Sequence, residues 1–550
     1  MIAAVPSLRA YALSLCGDPD RADELVQDTL LTALGSMDSF SEGSNLTARL
    51  FAILRNAYDN DYRRRRSDLL DWAHAQQRFC VSAMLRAVSA TTLVKRRPAL
   101  GHTIRPARGS ILASPEMAAY DPKPDYFFHW LRDSALVADG LREAIEDGTL
   151  APSSVEHLID FVDFSLELCR LDGPRFLREG GYPETVEPSF RQHVRSRAEI
   201  AEIVGDRILG EGRHNADGSL DVLKWGRPQN DGPALRALTV IRFFRLDAFR
   251  VRAAEAALTL LRYDLDYTLS HWRSPCCDLW EEATGFHYHT RLVQQAALAE
   301  GAAFLAAEGD SERAKTCADA GRALLLELDR HFDPGDGVYR GRLAETGPDA
   351  PPCRRLDIAV ILAAIHAGRR AGAHSVTDPK MLATLFALER LFDEEYPINR
   401  ARPNDCAPAL GRYAGDSYFS GGAYYFATLG GAQFCFRLAQ AAAEGEAFQV
   451  STESRAPLAA LLQTPADTLP HGVLAGQFRE ALAHAALRRG DMYLATVRRF
   501  TPASGALAEQ FSQQDGAPAS ADNLAWSYAC FVTALATRRR AVQSMAAGVS

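Results

Sequence analysis

The chain has 550 residues, 47% hydrophobic and 24% charged, proportions that exclude a disordered, collagen-like or disulfide-scaffold protein. Its 61 basic and 69 acidic residues give a formal charge of -8, which excludes a protein that coats nucleic acid through bulk basicity. No apolar run reaches the ~18 residues of a membrane span, and ten scattered cysteines point to reduced thiols and a cytoplasmic protein.

The N-terminal stretch reads as an amphipathic helix rather than a signal peptide, because no basic start precedes an apolar core. After the cap-like run Asp18-Pro19-Asp20, residues Leu25, Val26, Thr29, Leu30, Ala33 and Leu34 recur at helical spacing. A second helix carries Leu46, Leu50, Phe51, Ile53 and Leu54 and closes on Arg63-Arg64-Arg65-Arg66. Residues 1–68 hold eight arginines against ten acidic residues, so any nucleic-acid contact must rest on that arginine run and its helix.

The stretches LRAYALSLCGDPDRADELVQDTLLTAL and NLTARLFAILRNAYDNDYRRRR resemble the second conserved region of extracytoplasmic-function sigma factors. The resemblance implies RNA polymerase core as a partner through Glu24, Leu25, Gln27 and Asp28. It places Arg55, Asn56, Tyr58 and Asp59 near promoter DNA, where aromatic and basic side chains hold unstacked bases and their phosphates. Arg49 replaces the family's usual tryptophan, and no second helix-turn-helix module follows.

From residue 69 to 550 the signal is mostly helical. Apolar residues at i, i+3, i+4 spacing predict helices around 235–265, 285–307, 315–330, 357–371, 378–392, 424–441, 475–489 and 522–539. Strand signals are short, as in HFDPGDGVYRG, and no fixed period supports a solenoid. One large all-α domain with a concave site built from its loops follows from this pattern.

Four loop motifs mix aromatic and charged residues. PDYFFHWLRD presents Arg132 and Asp133, which can donate to and accept from sugar hydroxyls beside aromatic platforms. KWGRPQNDGP fixes a tight loop around Trp225, Arg227 and Asp231. DLWEE sets two consecutive carboxylates beside a tryptophan, where each raises the other's proton affinity and one can serve as general acid. GRYAGDSYFSGGAYYF combines glycines, which allow close approach of a ligand, with tyrosine stacking surfaces.

PDYFFHWLRDSA, WGRPQNDGPALRA, DLWEE, APALGRYAGDSYFSGGAYYFATL and SADNLAWSYA stand in the order seen in glycoside hydrolase family 15, the glucoamylases, which the chain resembles over residues 69–540. The resemblance implies an (α/α)6 barrel and an exo-acting α-glucosidase that releases β-glucose from non-reducing ends of α-glucans or malto- and isomalto-oligosaccharides, with inversion. It makes Glu281 the general acid. Arg132, Asp133, Trp225, Leu279, Trp280, Glu282 and Tyr424 become substrate-binding residues. The family commonly reads GRYPEDxY, with that glutamate activating water, whereas here Ala414 and Gly415 replace Pro-Glu. An inverting enzyme holds its base roughly 6.5–9.5 Å from the acid. Asp416 is the base candidate, with another carboxylate of the pocket as the alternative. No metal or organic cofactor is called for. The other reading is a weakly active or inactive sugar-binding barrel tethered to a transcription-initiation module.

Overall fold

The computed structural model describes residues 4–16, 18–36, 45–343 and 354–547. Its centre follows from sequence. The segment AVILAAIHA, Ala359–Ala367, is apolar on every side and buried at all nine positions, as a helix surrounded by other helices must be. It is one of six inner helices, with Leu131–Glu146, Asp231–Phe243, Tyr288–Ala307, Tyr425–Ala443 and Ala525–Ala547. Each packs on the next, and the last packs on the first, closing a ring.

The outer helices bury one face against that ring. They are Val155–Leu168, Asp247–His271, Ser311–Leu328, Pro379–Glu395 and Gln477–Phe500, joined by the C-terminal half of a long helix described below. Their starts are set locally: Asp378 accepts from the Lys380 N–H with Pro379 in the first position, and Asp310 accepts from Arg313. The result is an (α/α)6 barrel.

The N-terminal residues build a second, smaller core. Helices α1 (Val5–Cys16), α2 (Pro19–Gly35) and the start of α3 (Leu46–Leu85) bury Leu8, Ala12, Leu25, Val26, Ala33, Leu50 and Leu54 together. Helix α3 does not stop at the arginine run. It runs on to Leu85, 40 residues in all, and from Leu69 onward it buries Ala73, Cys80 and Met84 in the barrel core. The sixth outer helix is therefore the second half of a helix begun in the small unit.

Three expectations change in detail. The helix expected over 235–265 is two, because Phe244, Arg245 and Leu246 close i→i-3 hydrogen bonds that turn the chain from inner to outer ring. The helix expected over 357–371 ends at Ala367, where Gly368 takes the left-handed conformation, φ 69°. Helices Leu131–Glu146 and Val155–Leu168 were not expected from periodicity. The first buries Arg132, Asp133, Asp139, Arg142 and Glu143, and so shows no clean apolar stripe.

Candidate active site

Short strands immediately before the inner helices shape one end of the barrel. His129–Trp130 pairs antiparallel with Arg213–His214, setting Trp130 opposite Arg213. Ala423–Tyr424 pairs with Gln510–Phe511, setting Tyr424 opposite Gln510. Cys276–Cys277 pairs with Thr284–Gly285, so DLWEE forms the tip of a hairpin. Asp278 ties that tip together by accepting from the Glu282 and Ala283 N–H groups, at 2.7 and 3.0 Å.

These segments enclose a cavity of about 200 Å³ at the N-terminal ends of the inner helices. Arg132, Asp133, Trp225, Leu279, Trp280, Glu281, Glu282 and Tyr424, all expected site residues, line it. Trp280, Phe426 and Trp526 form a stacked aromatic wall, with Phe426 and Trp526 at 4.1 Å and 5°. Such a wall suits the apolar face of a sugar ring.

The two glutamates of DLWEE diverge, because Glu281 sits at φ 64°. Glu281 accepts from the indole N–H of Trp130 at 2.7 Å, from Gln229 at 2.7 Å and from the indole of Trp225. Glu282 turns to Arg412 at 2.9 Å, to the Tyr413 hydroxyl at 2.5 Å and to Arg354. The expected partnership between adjacent carboxylates is thus replaced by two separate donor sets. Neighbouring Arg132 is fixed by Gln229 at 3.1 Å and Asp231 at 3.2 Å. Asp133 is buried and its carboxyl is pushed up to about 6, chiefly by burial and against the pull of Arg132. Its buried Oδ2 accepts no hydrogen bond among the described residues and lies 3.4 Å from the Arg132 Nε.

Asp416, expected as the base, does not line the cavity. Arg412 takes both its oxygens, at 2.7 and 2.5 Å, and the Tyr418 N–H donates to one of them. Gly415 lies on the turn beside it at φ 72°, and a Cβ there would meet only open space. Gly415, the position that looked like a missing glutamate, does not line the cavity.

The carboxylate that completes the cavity is Glu509, next to strand Gln510–Phe511. It accepts from the Ser520 hydroxyl and from Tyr126 at 3.4 Å. Tyr126 stacks edge-on against Trp130, 5.4 Å between centroids, and Trp130 donates to Glu281. Enclosure pushes the Glu509 carboxyl up to about 7, against Ser520 and Arg412. Glu509 was not among the residues expected from sequence. Its only local signal is its place in LAEQF, ahead of SADNLAWSYA.

Residues 191–536 match the family described as Glycosyl hydrolases family 15. The chain belongs to this family. Among family 15 relatives, Glucoamylase 1 of Rhizopus oryzae is 28% identical over 440 residues, covering 78% of this chain and 66% of the relative. Glucoamylase-1 of Schizophyllum commune is 30% identical over 474 residues, covering 84% of this chain and 74% of the relative. Among solved structures, the family 15 glucoamylase from Hypocrea jecorina superposes with a TM-score of 0.69 at 25% identity, over 86% of this chain and 72% of that one. This chain is thus a family 15 glycoside hydrolase with an N-terminal segment, residues 1–55, that matches the Sigma2 domain of PhyR.

In that segment the structure separates the expected contact residues. Glu24, Gln27 and Asp28 are exposed on α2, and Arg55 and Asn56 on α3, while Tyr58 is partly buried between Arg21 and Arg55. Leu25 is 4% exposed inside the small core, so it cannot face a partner without unfolding it. The arginine run is engaged within the chain: Arg64 and Arg65 pair with Asp61, Arg65 reaches Asp405 at 3.6 Å, and Arg66 reaches Asp491 at 3.5 Å.

Proposed function

We propose that this chain is an exo-acting α-glucosidase of the glucoamylase type that releases β-glucose from non-reducing ends by inversion. The observation that carries the reading is the pair Glu281 and Glu509, held by separate donor sets in one cavity whose wall is aromatic. Glu281 protonates the glycosidic oxygen as the bond to the anomeric carbon breaks. Glu509 takes a proton from the water that attacks the same carbon from the opposite face. Arg132 and Asp133 bind hydroxyls of the terminal glucose of the substrate, an α-linked gluco-oligosaccharide or glucan.

The alternative, a sugar-binding barrel without turnover, drew its support from the absent glutamate at position 415. Glu509 removes that support. The deciding experiment follows the anomer released from maltose and isomaltose by nuclear magnetic resonance, for wild type, Glu281→Gln and Glu509→Gln. Initial release of β-glucose by wild type and its loss in both variants is expected. Absence of glucose release with measurable maltose binding would establish the alternative.

For the N-terminal unit we propose a contact with RNA polymerase core through exposed Glu24, Gln27 and Asp28. Free thiols at the nine described cysteines support a reducing, cytoplasmic setting. No helix among the described residues is long and apolar enough to cross a membrane. Capture of core polymerase by the full chain, lost on charge reversal of Glu24 and Asp28, tests the contact.

A further inference from the structure

Arg213 is a buried cation whose charge is turned onto aromatic rings. It is 1% exposed, and its Nε donates to Asp221 at 2.7 Å. Both terminal nitrogens are buried without a hydrogen-bond partner among the described residues. A guanidinium carries five N–H donors and normally satisfies them when buried. Here the guanidinium carbon lies 3.8 Å from the ring centroid of Trp225, 4.1 Å from Phe128 and 5.1 Å from Trp130. Its charge is therefore stabilised by ring faces, an interaction that strengthens on desolvation.

Neutralising Asp221 accounts for the Nε contact but not for the two terminal nitrogens. Asp221 already holds Arg227 at 3.1 Å and accepts from the Leu223 N–H at 2.9 Å. Glu211 in turn holds Arg195 and Arg227, both at 2.7 Å. Three guanidiniums thus share two carboxylates, and the surplus positive charge faces the indoles of Trp225 and Trp130. Those two indoles donate to Glu281. Trp225 needs such support, because it is 37% exposed, is followed by Gly226, and meets Trp130 only edge-on at 6.3 Å.

We propose that Arg213 is a positioning residue that fixes the Trp225 indole by cation–π stacking, so that its N–H stays on Glu281 during turnover. The inference rests on the reading of Glu281 as the acid of a family 15 glucosidase. Arg213 touches no substrate and acts through the tryptophan.

The test is a double-mutant cycle on maltose hydrolysis with Arg213→Met, Arg213→Lys, Trp225→Phe and the Met–Phe double variant, each checked for native circular dichroism. Arg213→Met is expected to lower kcat about tenfold or more, with KM changed less than about threefold. Arg213→Lys keeps the charge over the ring and recovers most of that kcat. In the Trp225→Phe background the donor is already gone, so Arg213→Met costs less than about twofold further. Independent, multiplying effects, or a Lys variant as slow as the Met variant, would overturn the proposal. Tryptophan emission gives a second reading that needs no turnover. The part of the spectrum lost in Trp225→Phe should shift in Arg213→Met, and an unshifted spectrum would also overturn it. If wild type releases no glucose, the reading of the site fails, and the emission comparison alone decides for or against the Arg213 contact.

Discussion

Arg412 grips both carboxylate oxygens of Asp416, at 2.7 and 2.5 Å. The same guanidinium reaches Glu282 at 2.9 Å and lies over Trp280, Tyr418 and Tyr424. Asp416 therefore orients a cation of the cavity wall. Asp416→Asn should raise KM for maltose and lower kcat/KM by about tenfold, the scale of one weakened charge-assisted hydrogen bond. Loss of about a hundredfold or more in kcat with KM unchanged would restore Asp416 as the base.

The acid and base are distinguished by their need for the leaving group. Fluoride departs without protonation, so Glu281→Gln should lose about 10²- to 10⁴-fold on maltose but far less on α-glucosyl fluoride. If Glu509 activates water as proposed, Glu509→Gln should lose comparably on both. Equal losses on both substrates for Glu281→Gln would exchange or remove the assignments.

In the proposed mechanism Glu509 acts as base only when ionised, and its carboxyl is pushed up to about 7 by enclosure. The kcat/KM of wild type should therefore fall as pH drops through about 7. Ser520 donates to Glu509 and favours the ionised form. Ser520→Ala removes that help, so the acid limb should move to higher pH by roughly half a unit to one unit. An unmoved limb would separate Glu509 from the pH profile.

Gly415 tests the sequence-based expectation directly. Its φ of 72° costs a side-chain-bearing residue about 1–2 kcal/mol, and its Cβ direction leads to open space. Gly415→Glu, which restores the residue common in the family, should lower the melting temperature and leave glucose release no higher than wild type. Increased kcat would show that the loop closes over the cavity.

The barrel and most of the cavity were legible because their residues are contiguous. The run ending in Arg132-Asp133, the loop at Trp225 and the DLWEE segment each keep type and spacing together, and all of them line the cavity. Glu509 was hidden because its place depends on strand pairing: Gln510 meets Tyr424 and Phe511 meets Ala423, across the intervening outer helix Gln477–Phe500. That Glu281 and Glu282 diverge was legible from their adjacency, and one backbone angle, φ 64° at Glu281, fixes the two donor sets. The arginine run combines local and distant partners. Asp61 stands one turn away, but Asp405 and Asp491 lie hundreds of residues away, and no local pattern announces them.

Helix α3 makes the last prediction. Its second half is barrel structure: Trp72 meets Phe531 edge-on at 5.6 Å, Gln76 donates to the Gly505 carbonyl at 2.7 Å, and Gln77 donates to Asp147 at 2.8 Å. Its first half belongs to the small core, and the ion pairs between that unit and the barrel are partly exposed and so worth little. Removing residues 1–68 should therefore leave a folded, monodisperse protein whose glucose release matches wild type within about twofold. Removing residues 1–88 strips the sixth outer helix from the inner helix Ala525–Ala547 and uncovers Phe531 and Tyr528, so aggregation is expected. Size-exclusion chromatography and thermal melts of the two truncations check this. An inactive or unfolded 69–550 fragment would show that the small unit is part of the barrel's stability rather than an addition to it.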